Sequence, residues 1–153
     1  MEYCRSGNYV TARLDKGEEI LSALSRLCTE QQIHSGLISG FGAVDQITLG
    51  IFRTEPKKYE SRNLEGEYEI ASLTGTISVL NDSPYLHVHA AVADPVNGIF
   101  HGGHLSFARI SATAELVITV TDTPAYRRFD DKIGLQLLAF SEETQMPLRA
   151  LRN

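Results

Sequence analysis

A chain of 153 residues, 42% apolar and 22% charged, is long enough to bury one globular core, and no apolar run approaches the roughly 20 residues that cross a bilayer. Its formal net charge of −5, from 14 Lys and Arg against 19 Asp and Glu, argues against direct binding of duplex DNA, which calls for a basic face to neutralise phosphates. The only dense basic spots, Lys57-Lys58 and Arg127-Arg128, are dipeptides.

In chain order, MEYCRSGNYV contains no hydrophobic stretch followed by a cleavage site and does not read as a secretory leader. The two cysteines, Cys4 and Cys28, form no CxxC pair, so a reducing cytoplasm is the expected compartment. Tyr9 to Leu14 alternates and is β-rich, which predicts a strand broken by Asp15-Lys-Gly17. From Glu18 to about Gln32, Ile20, Leu21, Leu24, Leu27 and Cys28 form one apolar stripe of a helix, with Glu18 and Glu19 near its positive end. Cys28 then reads as a buried free thiol.

Strands dominate the rest. Gly36 to Ser39 and Val44 to Phe52 are expected to flank a turn at Gly40-Phe41-Gly42, and Tyr59 to Leu64 is polar and ambiguous. Tyr68 to Leu80 is long and β-branched and ends at a turn over Asn81-Asp-Ser-Pro84. Tyr85 to Ala93 alternates and precedes a second turn at Asp94 to Gly98; Ser111 to Thr121 and Ile133 to Phe140 complete the set. There is no repeat, linker or low-complexity run, so residues 1–153 read as one domain with its core at about 9–140. One helix against a mainly antiparallel sheet is a two-layer α+β fold. Leu73 to Leu80 and Ala112 to Val120 are apolar on both sides; a lone helix cannot cover both faces, which implies a homo-oligomer.

The histidines carry the chemistry. His87 and His89, at i and i+2 in a strand, point to one face. His104 follows Gly102-Gly103, and paired glycines permit a tight turn that returns a third imidazole over the strand. Three neutral imidazoles suit zinc or a similar borderline divalent metal and leave one coordination position open. Set against this, an HxH pair alone also occurs as two histidines on a polar strand face. His101 reads as a loop residue on the pocket rim, and His34, after the helix, as a surface or cap residue. Glu115, in an otherwise apolar strand, reads either as a solvent-facing residue or as a partner for a ligating histidine, a threonine or Arg13. Arg13 has the same pair of readings and a further one in a subunit contact.

Several runs, taken in order, resemble the PPC family, the plant and prokaryote conserved domain. Leu37-Ile-Ser-Gly-Phe-Gly-Ala-Val44 with Leu49-Gly50 is similar to that family's GxGAV…LG segment. Gly66-Glu-Tyr-Glu-Ile70 with Leu73-Thr-Gly75 is similar to its G-R-F-E-I…L-S-G stretch. Pro84-Tyr-Leu-His-Val-His89, Gly102-Gly-His-Leu105 and Thr113-Ala-Glu115 resemble its PxxHxH, GGHL and TxE elements, and Arg13…Gly17-Glu18 matches its opening. The ordered set spans about residues 9 to 140. The resemblance implies a homotrimer with strands packed across subunit boundaries and, as in prokaryotic members, metal binding through His87, His89 and His104. Plant members carry an AT-hook before the domain; this chain has no Arg-Gly-Arg-Pro core, so DNA binding does not carry over, although the DNA-binding name travels with the family. Glu67 departs from the family pattern: plant members carry Arg there, in a segment linked to partner binding.

Two functions follow as expectations. The first is a stand-alone, trimeric, metal-binding module that takes a small molecule or a protein partner. The alternative is a metal-dependent hydrolase or lyase in which Glu115 or His101 is the general base. A cupin also places HxH on a strand, but adds a glutamate four or five residues later, where this chain has Ala93 and Asp94, and a long N-terminal helix suits it poorly.

Overall fold

The computed structural model describes residues 1–139 and is an α+β fold of eight strands and one helix. In β2 (Tyr9–Asp15), Val10, Ala12 and Leu14 are buried and Tyr9, Thr11 and Arg13 are exposed, the alternation of a half-buried strand. β1 (Glu2–Ser6), which the sequence pattern did not signal, pairs with it and is exposed throughout, so it has no apolar face to betray it. Helix α1 runs from Ile20 to Glu30, within the expected span. Glu19 caps it: the carboxylate accepts the backbone N–H groups of Leu21 and Ser22 at 3.0 and 2.7 Å. The predicted stripe of Ile20, Leu24, Leu27 and Cys28, with Ala23, is buried, and burial pushes the Cys28 thiol up to about 12, which makes it inert.

The long strands β3 (Gly36–Arg53), β4 (Lys58–Leu80), β5 (Ser83–Asp94) and β6 (Ile99–Val120) pair antiparallel as β3–β4, β4–β5, β5–β6 and β6–β3, closing a ring. β2 adds to the far half of β6. Hairpin β7 (Tyr126–Asp130) and β8 (Leu135–Ala139) touches β4 through Val79 and Tyr126. The helix packs on β5 and β6, and Leu14, Leu24, Leu27, Ile38, Ile77, Val88, Ile110 and Leu116 belong to one continuous core. Asn81 and Asp82, with φ of 50° and 60°, make the two-residue turn between β4 and β5.

Two expectations are corrected, and one stretch that the sequence left open is resolved as strand. Gly40-Phe41-Gly42 is no turn but an irregularity inside β3, where the register against β4 and β6 shifts. Small residues are needed because β6 passes so closely: a Cβ on Gly42 would lie 2.5 Å from the Thr113 carbonyl oxygen and 2.6 Å from the Ala114 Cα. The polar stretch Tyr59 to Leu64 is strand, the exposed arm of β4. The last predicted strand, Ile133 to Phe140, starts two residues late at Leu135, and Phe140 lies outside the described residues. Among the described residues no helix is long and apolar enough to cross a membrane.

Replacing Gly42 by alanine forces one backbone off another, so Gly42→Ala is expected to lower stability by about 1–3 kcal/mol, read as a fall in the urea midpoint with an unchanged slope.

Candidate metal centre

His87 and His89 leave the same face of β5, while Val88 and Ala90 turn into the core. His104 needs no turn to join them. It is the cross-strand partner of His89 in the β5–β6 ladder, and partners in register share a face. The expected tight turn at Gly102-Gly103 is therefore corrected, since both glycines lie inside β6. Gly103 answers a different demand: a Cβ there would sit 2.7 Å from the Gly50 carbonyl oxygen of β3, whereas at Gly102 the nearest atom would be 3.6 Å away.

The three ring centroids stand 5.2, 5.3 and 5.5 Å apart, and one nitrogen from each imidazole lies within 4.8 Å of the others. The Nε2 atoms of His87 and His89 are 3.3 Å apart. Two nitrogens bound at about 2.0–2.1 Å to a tetrahedral ion subtend about 3.3 Å, so this pair has the spacing of one edge of a zinc site. Nδ1 of His104 is buried with no hydrogen-bond partner, the sort of orphaned polar atom that a metal ion or a bound ligand satisfies. The donor set and its spacing fit a borderline divalent ion, with three nitrogen donors and no carboxylate or thiolate in the group.

Two hairpins wall the site. The Tyr59 ring, near the tip of the β3–β4 hairpin, is 5.3 Å from His104 and 5.1 Å from Phe52. From β7, Arg127 reaches over the sheet: Nε donates to Ser78 Oγ at 3.0 Å, Nη2 to Thr76 Oγ1 at 3.2 Å and Nη1 to the Gln136 carbonyl at 2.9 Å. Its guanidinium carbon sits 4.9 Å from the Tyr85 ring centroid, a cation–π contact. Thr76 is the register partner of His87, so the guanidinium and the His87 imidazole are neighbours. Burial, then the Arg127 charge, then the other two imidazoles hold His87 below the ordinary histidine value. Burial and then His89 do the same for His104. Burial followed by the nearby Tyr85 pushes the Tyr59 hydroxyl up.

The remaining candidates lie elsewhere. His101 pairs with Val92 on the opposite face of β6 and lines a cleft with Leu49, Leu64 and Arg62, its ring 6.2 Å from Tyr68. Glu115 and Arg13 are exposed cross-strand neighbours. Arg13 pairs with Glu2 and Asp15, each at 3.1 Å, rather than with Glu115. Glu115 lies eleven positions further along β6, in register with Arg13 and Phe41 rather than with β5, so it orients no ligating imidazole. His34 is exposed beyond the helix, whose C-cap is Gln31. Arg127, Tyr59 and Tyr85 escaped the sequence reading. Tyr85 had a signal, the same i, i+2 spacing that joins His87 to His89, whereas Arg127 comes in from a distant hairpin.

The Plants and Prokaryotes Conserved (PCC) domain profile matches residues 1–122. A solved structure from Bacteroides thetaiotaomicron, provisionally named as DNA binding, is 32% identical, covers 91% of this chain and 96% of its own, and superposes with a TM-score of 0.87. A metal-containing protein of Archaeoglobus fulgidus is 30% identical over 91% of this chain and 97% of its own, with a TM-score of 0.81. A plant- and prokaryote-conserved protein of Pyrococcus horikoshii is 27% identical over 92% of this chain and 95% of its own, with a TM-score of 0.79. No curated protein matches the chain significantly.

Because folding lowers the His87 and His104 values, the unfolded chain binds more protons as pH falls below the ordinary 6.5. Their contribution is therefore present above pH 6.5 and lost as pH drops through the folded values. For metal-free protein the urea midpoint is expected to fall on acidification from about pH 7 to about pH 5, less steeply in His87→Gln/His104→Gln; equal slopes would assign the loss to other groups.

Proposed function

This chain belongs to the Plants and Prokaryotes Conserved domain family, and from that premise we propose that it is a homotrimeric, metal-binding module whose three-imidazole site takes a small ligand. The observation that carries the proposal is the convergence of His87, His89 and His104 at metal-ligand spacing, with one buried imidazole nitrogen unpartnered. The A. fulgidus relative, a metal-containing protein, supports it. The held ion would be zinc or a similar divalent metal, acting as a Lewis acid toward a bound oxygen atom. Burial holds His87 and His104 below the ordinary histidine value, and Tyr59 and Arg127 wall the site.

A trimer is supported by a face of β2, β6 and β3 that no described element covers. Tyr9, Leu37, Phe41 and Val117 share it by register and are 57%, 56%, 57% and 42% exposed. Such a patch on a sheet already covered on its other side is a place for a second copy of the chain.

The metalloenzyme alternative keeps the open coordination position in its favour, but loses both expected bases. Glu115 is remote and His101 faces away, and Tyr59 is a tyrosine whose ring packs on His104. The DNA-binding name of the B. thetaiotaomicron relative fits this chain poorly. Of its two basic dipeptides, Arg127 is committed to the interior contacts above and Lys57 donates to the Asp131 carbonyl.

Elemental analysis is expected to find about one zinc-like ion per chain, lost from His87→Ala/His89→Ala and from His104→Ala; metal absent from native protein, with no uptake on titration, would reject the site. Light scattering is expected to give three times the 16.9 kDa chain mass. Phe41→Glu/Val117→Asp should shift it toward the monomer, and a monomeric wild type would reject the assembly.

A further inference from the structure

We infer that Arg127 anchors a small carboxylate ligand at the open side of the three-imidazole site, an inference that rests on the metal reading above. Three neutral imidazoles offset none of the charge of a divalent ion, and the guanidinium beside His87 adds another positive charge. Among the described residues no carboxylate joins the histidines and none forms an ion pair with Arg127. A partly buried cation beside a cation site, with no counter-charge from the protein, calls for an anion from outside.

The geometry of Arg127 supports the same conclusion. A guanidinium has five N–H donors in a planar fork. Three donate to Ser78, Thr76 and the Gln136 carbonyl, which fix the plane, and the Tyr85 ring packs against it. Two N–H donors have no acceptor among the described residues. A fork held rigid with two donors to spare matches the two oxygens of a carboxylate, which lysine cannot imitate. The rival view is that Arg127 only staples the β7–β8 hairpin to the sheet. That role would be visible in stability and invisible in ligand affinity.

The test uses the full chain loaded with cobalt(II), whose visible bands report the ligands at the ion, titrated with acetate. In wild type the bands should shift saturably. Arg127→Gln should bind cobalt as well as wild type while its acetate dissociation constant rises about 10- to 100-fold, the loss of one charge-assisted contact. Arg127→Lys, which keeps the charge and is the milder change should the glutamine variant not fold, should fall short of wild-type affinity. If wild type takes up no cobalt, the metal reading fails and the anchor with it. If cobalt binds but acetate moves the bands equally in wild type and variants, or not at all, the anchor alone is overturned. If inorganic phosphate competes far better than acetate, the carboxylate assignment is overturned.

Discussion

The site depends on one pairing, His89 of β5 opposite His104 of β6. That rung belongs to the ladder that closes the ring of β3, β4, β5 and β6, and His104 is in register with Gly50 of β3 on its other side. Once the ladder forms, the imidazoles have nowhere else to go: the i, i+2 spacing brings His87 alongside, and the core behind Val88, Ala90 and Leu105 resists any slip. A one-residue slip would send the histidines into the core and Val88 into solvent. Burying the core and assembling the three nitrogens are therefore the same folding event. Gly103 belongs to that constraint, because β3 reaches the ladder only where β6 has no side chain in the way.

Much of this was legible in the sequence, and the rest was hidden for identifiable reasons. Helix α1, the alternation of β2 and the shared face of His87 and His89 follow from period and spacing, which are local properties. The three histidines were singled out together, but by the wrong route: Gly102-Gly103 suggested a turn, because glycine pairs usually mark one, and here one of them answers a close approach between strands that only the fold reveals. The same confusion applied to Gly40 and Gly42. Glu115 draws attention because a carboxylate in an apolar strand demands an explanation, yet in this sheet no described element covers its face. Arg127 was overlooked because nothing local marks it. Its partners, Thr76, Ser78 and Tyr85, lie more than forty positions earlier in the chain.

The site's electrostatics are built from burial rather than from charge. Most structural ion pairs of the chain, such as Arg13 with Glu2 and Asp15 or Arg53 with Glu60, lie on exposed surface and contribute little. Among the described residues no acid joins the imidazole cluster. Desolvation leads for both His87 and His104, and Arg127 pushes His87 the same way. Neutral histidine is the form that ligates a metal, so the surroundings favour a ligand set ready at neutral pH. An aspartate in place of a hydroxyl at Thr76 would do the opposite, pairing with Arg127 and favouring the protonated imidazole.

The geometry of β6 links the site to the proposed assembly. Between Leu105 and Phe107 the strand carries one extra residue, Ser106, against β3, and the buried positions change from Leu105 to Ala108 and Ile110. Without that bulge, strict alternation from His104 would carry the pattern of Ala114, Leu116 and Ile118 outward. With the irregularities in place, His104 at one end and Glu115 and Val117 at the other all lie on the side away from the core. The imidazole cluster and the exposed apolar patch around Val117 are thus two stretches of one strand's outer face, positioned by a single buried ladder.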